Sequence, residues 1–171
     1  ALCIDILVNN AALNPTMKEV NTDVTGKIED YDMNQWNDEI NVGITGAFIC
    51  SRVFGARMAA EGAGVIINIS TFAVFEPDPI FPTSGVFRAG LASFTKLFAD
   101  KYASDNIRMN NILPGFIDSL PEKEEFKVRI PLKRYGKTNE ISEVVSFLAS
   151  DGAAYITGQN IRVDGGITKS V

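Results

Sequence analysis

The chain has 171 residues, 46% of them apolar and 22% charged, a balance that suits one folded domain and argues against disorder. Its net charge of −5 speaks against a nucleic-acid or anionic-membrane binder, and no apolar run approaches the ~18 residues of a bilayer span. It contains no histidine, which removes catalytic triads and most zinc sites, so no metal is expected.

In chain order, Ile4–Val8 reads as a short buried strand that runs directly into Asn9, Asn10, Ala11 and Ala12. The opening ALCIDILVNN has no basic n-region and does not read as a signal peptide. Cys3 and Cys50 lack metal-ligand spacing and read as reduced packing residues, which fits a cytoplasmic protein. Residues 13–32 are polar and read as an Ω-like surface loop or part of a substrate mouth. Asp32 is a candidate N-cap for a helix over about 33–60, with Trp36, Ile40, Ile44, Phe48 and Val53 as its buried stripe. Gly43 and Gly46 interrupt that helix, each at about 1 kcal/mol relative to alanine.

The β-branched run Val65–Ile69 follows Gly62 and Gly64 and predicts a buried strand of a parallel sheet. It ends in Ser70 and Thr71, where open α/β sheets place their ligands. After a loop with Pro77, Pro79 and Pro82, a helix is predicted from near Thr83 or Ser84 to about Tyr102. Ser84 and Arg88 are four apart and share one face of it, while Ala89, Leu91, Phe94, Leu97, Phe98 and Tyr102 make its apolar face. Ile107–Leu113 is a further strand, ending in Pro114-Gly115. Thr138 or Asn139 caps a helix through about Ala149 with Ile141, Val144, Val145 and Leu148 inward, and Ile161–Val163 is the last strand. This alternation predicts an α/β fold.

Six segments carry a resemblance: LVNNAA at 7–12, INVGITGAF at 40–48, INIST at 67–71, IRMNNILPG at 107–115, IPLKRYG at 130–136 and YITGQNIRVDGG at 155–166. In this order and spacing the chain resembles the C-terminal two-thirds of a short-chain dehydrogenase/reductase, a family of Rossmann-fold enzymes using NAD or NADP. The resemblance implies a doubly wound parallel sheet in three α/β/α layers, with residues 1–171 as one partial domain starting at the family's fourth strand. The first three strands and the glycine-rich phosphate-binding turn would precede Ala1 in a longer enzyme. Neither G-x-x-x-G-x-G nor G-x-G-x-x-G occurs in the chain.

The family's catalytic tetrad is Asn, Ser, Tyr and Lys. Carried over by position, it falls on Asn41, Thr71, Ser84 and Arg88. The resemblance assigns cofactor contacts to Asn9, Ala11, Ala12, Arg88, Pro114, Gly115 and Ser119, and a substrate lid to residues 118–134. The bland reading of the stretch EKEEFKVR within that lid is a solvated charged helix. The two replacements change the chemistry. A tyrosine hydroxyl has a reference pKa of about 10, which a nearby ammonium can lower towards working pH. Serine is less acidic and shorter, and arginine keeps the charge but cannot release a proton.

The leading expectation is therefore a divergent NAD(P)-dependent oxidoreductase acting on a small alcohol or carbonyl. The alternative is a catalytically silent binding or structural subunit of the same fold. A third reading is another reaction on the scaffold, such as an epimerase, dehydratase or lyase, since fold alone does not fix chemistry. The expected partners are a small-molecule substrate and further copies of the chain, as a homodimer or homotetramer. In the family, the helices over about 33–60 and 86–102 form a four-helix subunit interface.

Overall fold

The computed structural model describes residues 3–12, 32–79 and 81–170. The polar segment read as a loop or substrate mouth lies outside the described residues, apart from Asp32. Four strands form one sheet in the order β1 (Ile6–Asn9), β2 (Gly64–Ile69), β3 (Ile107–Pro114) and β4 (Asn160–Val163). Every neighbouring pair is parallel.

Helices make the crossovers between the strands. α1 (Met33–Ile40) continues through a π-helical turn (Asn41–Gly46) into α2 (Ala47–Glu61), which leads to β2. α3 (Pro82–Tyr102) joins β2 to β3. A short α4 (Glu124–Lys127) and α5 (Thr138–Ala149) lie between β3 and β4. Strand alternation divides the core between the two faces of the sheet. Ile66, Ile107 and Met109 meet Met58 of α2 and Phe98 of α3, whereas Val65, Ile67 and Ile112 meet Leu148 of α5. The result is the expected three-layer α/β/α arrangement.

Local chemistry sets the helix ends. Asp32 accepts a hydrogen bond from the Asn34 N–H at 2.9 Å and caps α1 as predicted. α2 ends at Gly62 with φ of +75°, a left-handed stop that glycine adopts without strain. α3 begins at Pro82 rather than Thr83 or Ser84, because a proline in the first turn needs no N–H partner. The N-cap of α5 is Lys137, one residue earlier than expected. The Glu140 side chain accepts its N–H at 2.7 Å, and Asp118 accepts the Thr138 N–H at 2.9 Å.

Two helix faces differ from the sequence reading. In the α1–α2 rod the buried residues are Glu39, Gly43, Ala47, Ser51, Gly55 and Met58, while Phe48 and Val53 point outward at 45% and 46% exposure. Small residues line that face because α3 comes close; a Cβ on Gly55 would lie 2.7 Å from the Phe98 ring. On α3, Leu91 and Phe98 are buried as expected, with Phe87, Thr95 and Ala99, but Ala89 is exposed and Leu97 is 67% exposed. Strand β1 is likewise only half covered, with Ile6 and Val8 exposed, and Cys3 is exposed rather than packed.

A row of asparagines crosses the sheet at one level. Asn9 pairs in register with Asn68, Asn68 with Asn111, and Asn111 with Asn160. The Asn9 amide donates to Asn68 at 2.8 Å, the Asn68 amide to Asn111 at 2.9 Å, and the Asn111 amide to Asn160 at 2.7 Å. Thr95 of α3 joins from above, accepting from Asn68 at 3.0 Å and donating to Asn111 at 2.8 Å. A one-residue slip of any strand would separate these partners, so the row pins the register.

Candidate functional site

At the carboxyl ends of β1, β2 and β3 the chain forms a groove of about 650 Å³. Its walls include Asn10 and Ala12 after β1, Ile69 and Ser70 after β2, Pro114 and Gly115 after β3, and Arg88 from α3. Ser119, with Ile141 and Ser142 of α5, closes the far side. This is where parallel sheets gather ligands, since helix starts and loop ends meet there.

Five expected site residues line this groove: Ala12, Arg88, Pro114, Gly115 and Ser119. Asn9 and Ala11 do not. Backbone alternation past the strand end turns Val8, Asn10 and Ala12 to the groove and the residues between them away. Asn9 is instead spent on the asparagine row, with a second contact to Ser51 at 3.3 Å. Gly115 sits where β3 and β4 converge, and a Cβ there would come within 2.9 Å of the Asp164 backbone.

Of the four expected catalytic positions, Arg88 lines the groove, and Asn41, Thr71 and Ser84 are not among its walls. Asn41 is exposed at the first residue of the π-helical turn and does not reach the groove; the buried residue of that turn is Gly43. Thr71 caps the 3₁₀ turn Phe72–Val74, its hydroxyl accepting from the Ala73 N–H at 3.4 Å. Ser84 is half-buried on α3, one turn before Arg88. Arg88 donates to the Ile69 carbonyl at 2.6 Å and so anchors the end of β2 as well as lining the groove.

Two polar residues stand out here: Ser70, which the sequence places at the ligand end of β2 without a role, and Glu39, which sequence reasoning missed. Ser70 lines the groove, and its hydroxyl is buried without a hydrogen-bond partner. Glu39 is 6% exposed, and its Oε1 is also unpartnered. Burial pushes the Glu39 carboxyl above its ordinary range, opposed by a hydrogen bond from Thr83 and by the charge of Arg88. Burial also lowers the Arg88 pKa from its usual value, with Glu39 opposing, though a guanidinium remains charged. The available signal for Glu39 was its spacing of four from Gly43 and eight from Ala47 on the small-residue stripe.

The segment expected to be a lid is anchored at Phe126 and Ile130, while most of its other side chains, including Glu122, Glu124 and Glu125, are exposed, as the reading of EKEEFKVR as a solvated charged helix has it. Phe126 of α4 is buried, stacked on Phe116 at 4.6 Å between ring centres, and Phe81 and Tyr135 complete the cluster. The Lys123 N–H donates to the Tyr135 hydroxyl at 3.1 Å, and Arg129 pairs with Asp78 at 2.5 Å. Among the described residues, no three metal-ligating side chains come together, and no helix is long and apolar enough to cross a membrane.

With this geometry, comparison with known proteins is decisive for the family. Residues 3–168 match the family described as Enoyl-(Acyl carrier protein) reductase. The chain belongs to the short-chain dehydrogenase/reductase family. It is 37% identical over 171 residues to the 3-oxoacyl-[acyl-carrier-protein] reductase FabG of Thermotoga maritima, covering 96% of this chain and 66% of that protein. Against the 2-dehydro-3-deoxy-D-gluconate 5-dehydrogenase of Bacillus subtilis the identity is 33%, covering 95% of this chain and 64% of the relative. Among solved structures, acetoin dehydrogenase YohF of Salmonella typhimurium superposes with a TM-score of 0.84 at 31% identity, covering 98% of this chain and 66% of that one. The chain thus spans about two thirds of the length of the short-chain dehydrogenases it matches.

Proposed function

We propose that this chain supplies the substrate side and the nicotinamide side of an NAD(P)-dependent oxidoreductase acting on a small alcohol or carbonyl. The observation that carries the reading is the groove itself. It gathers a cation, Arg88, and an orphaned hydroxyl, Ser70, at the carboxyl edge of a short-chain dehydrogenase sheet. A buried hydroxyl without a partner costs about 1–3 kcal/mol, which a ligand group bound there would offset.

The residues present fit the nicotinamide half of the cofactor. Ala12, Pro114 and Gly115 offer close backbone approach, and Ser70, Ser119 and Arg88 offer polar contacts. Bound NAD(P) supplies hydride transfer. The chain's own share is orientation and charge. Thr71, at the end of β2, would direct the substrate oxygen, and Arg88 would stabilise negative charge developing on it. With Ser84 in the tyrosine position, the proton must pass through water held by this helix, because arginine does not release one. A positioned general acid contributes about 10²–10⁴-fold, so turnover on generic carbonyls is expected to be slow.

The second reading, a silent subunit of the same fold, is favoured by one observation. Thr71 and Arg88 both already hold backbone partners, Ala73 and Ile69. Following NAD(P)H oxidation with a panel of small carbonyls separates the two. Ser84→Ala should lower turnover if the hydroxyl takes part, and Ser84→Tyr with Arg88→Lys should raise it. Nucleotide binding with no turnover in any of these proteins would favour the silent subunit.

Assembly as a homodimer or homotetramer is part of the proposal. Phe48, Ile49 and Val53 of α2 and Val86 and Leu97 of α3 are exposed apolar residues on the two helices concerned. Light scattering that finds only a monomer would remove it.

A further inference from the structure

We propose that the segment Ile167–Ser170, beyond β4, is a strap that holds the Thr71 turn in place, with Glu76 and Arg162 as the positioning residues that fasten it. Strand pairing in β2 ends at Ile69, and the Ser70 N–H still donates to the Ile112 carbonyl at 2.8 Å. From Thr71 to Glu76 the backbone is one hydrogen-bonded unit. The Val74 N–H reaches the Thr71 carbonyl at 3.3 Å, and the Phe75 and Glu76 N–H groups reach the Phe72 carbonyl at 3.1 and 3.4 Å. Whatever grips Phe75 and Glu76 therefore grips the turn that Thr71 caps.

The strap supplies that grip. Glu76 Oε1 accepts the N–H of Lys169 and, at 3.0 Å, the N–H of Ser170. These partners lie 93 and 94 residues along the chain, so the contact is set by the fold and not by the local loop. Arg162 of β4 donates to the Ser170 carbonyl at 2.5 Å and lays its guanidinium over the Phe75 ring, 4.4 Å from the ring centre. Phe75 is 40% exposed, so the cation covers a ring that the core does not. Ile167 is buried in the same cluster as Phe72, the residue after Thr71. Asp164 shapes the approach, its two oxygens accepting the N–H groups of Gly166 at 2.9 Å and Thr168 at 3.1 Å. A segment past a last strand frays unless it is tied down. Here a carboxylate, a strong acceptor, is spent on two of its backbone N–H groups. The catalytic consequence rests on the oxidoreductase reading above; the strap itself does not.

The test is amide hydrogen exchange followed by NMR on the whole chain, in the unaltered protein, Glu76→Ala and Glu76→Gln. The remote reporters are the Ala73 and Val74 amides, which are not sequence neighbours of residue 76. In Glu76→Ala the amides of Lys169, Ser170, Ala73 and Val74 should exchange about tenfold faster, while that of Ser70 on the ladder keeps its rate. Glu76→Gln, which retains an acceptor oxygen, should fall between the two. Unchanged exchange at Ala73 and Val74 overturns the proposal, because the strap then does not reach the turn. Equal acceleration at Ser70 also overturns it, because Glu76 is then a general stabiliser. In the activity arm, Glu76→Ala should lower kcat about fivefold with the nucleotide KM within about twofold, and Glu76→Gln should recover part of the loss. A loosened turn with an unchanged kcat would remove the positioning role. If the unaltered protein oxidises no NAD(P)H at all, the oxidoreductase reading falls, and the exchange rates still decide the strap.

Discussion

The asparagine row and the groove belong to one sheet, the first crossing it and the second opening at the carboxyl ends of its strands, yet they treat hydrogen bonds in opposite ways. In the row, Asn9, Asn68, Asn111 and Asn160 give their amides to one another, and Thr95 fills the remaining space. At the groove the Ser70 hydroxyl has no partner, and on α1 neither does the Glu39 Oε1. The third such atom among the described residues, Thr168 Oγ1, lies in the C-terminal turn. A closed network fixes a structure, because every alternative leaves something unsatisfied. An open one stores unsatisfied groups, which in a native protein calls for a functional explanation.

The sharpest way to break the comparison is Asn68→Leu. Removing this amide leaves the Asn9 amide only its longer contact to Ser51 and takes a donor from both Asn111 and Thr95, all beside the buried sheet. With a cost of roughly 1–3 kcal/mol for each unsatisfied group, a loss on the order of 4 kcal/mol is expected in denaturant unfolding. A loss under about 1 kcal/mol would mean the row is incidental to stability. The next largest effect tests the groove as a rigid frame. Gly115→Ala places a methyl against the Asp164 backbone, which cannot rotate aside as a side chain would. About 2 kcal/mol of destabilisation is expected from such overpacking.

Glu39→Gln gives a smaller effect whose sign depends on pH. The folded state holds the Glu39 proton more tightly than the unfolded chain, so the carboxyl costs nothing below the unfolded pKa. As pH rises from that value through the raised folded pKa, the native protein loses stability. Glu39→Gln should therefore gain on the unaltered protein as pH rises across this window in thermal unfolding, and a constant difference at all pH values would contradict it. The smallest effect belongs to an exposed, fully partnered contrast. Glu140 is held down from 4.5 to about 2, first by the Arg134 side chain and then by the Lys137 N–H. Its contribution is present above the unfolded pKa and lost as pH falls through the folded one, so the loss runs from 4.5 towards 2. Arg134→Gln should flatten the acid limb of the stability profile over that interval.

What the sequence determined by itself is what local rules determine. The β-branched run Val65–Ile69 announced β2, Asp32 announced the start of α1, and the inward set of Ile141, Val144, Val145 and Leu148 faces the sheet as read. The doubly wound sheet in three layers and the five groove residues were implied by the resemblance that the six motifs carry, because a shared fold keeps strand ends and helix starts at the same places along the chain. The tertiary structure alone decided which face of the α1–α2 rod is inside. Periodicity finds large apolar residues, whereas the inward face carries Gly43, Ala47 and Gly55, and at Gly55 the close approach of Phe98 on α3 leaves no room for a Cβ. It also set Asn9 in a row across four strands, left Asn41 in solvent, and pinned Phe126 into an aromatic cluster. Glu39 is the plainest case. On an isolated helix it reads as an ordinary surface carboxylate, and only the packing of α1 against α3, seen in the Trp36–Phe87 ring contact, removes its water. Burial is a property of neighbours in space, and α1 and α3 meet only because the crossover through β2 returns the chain to the same face of the sheet.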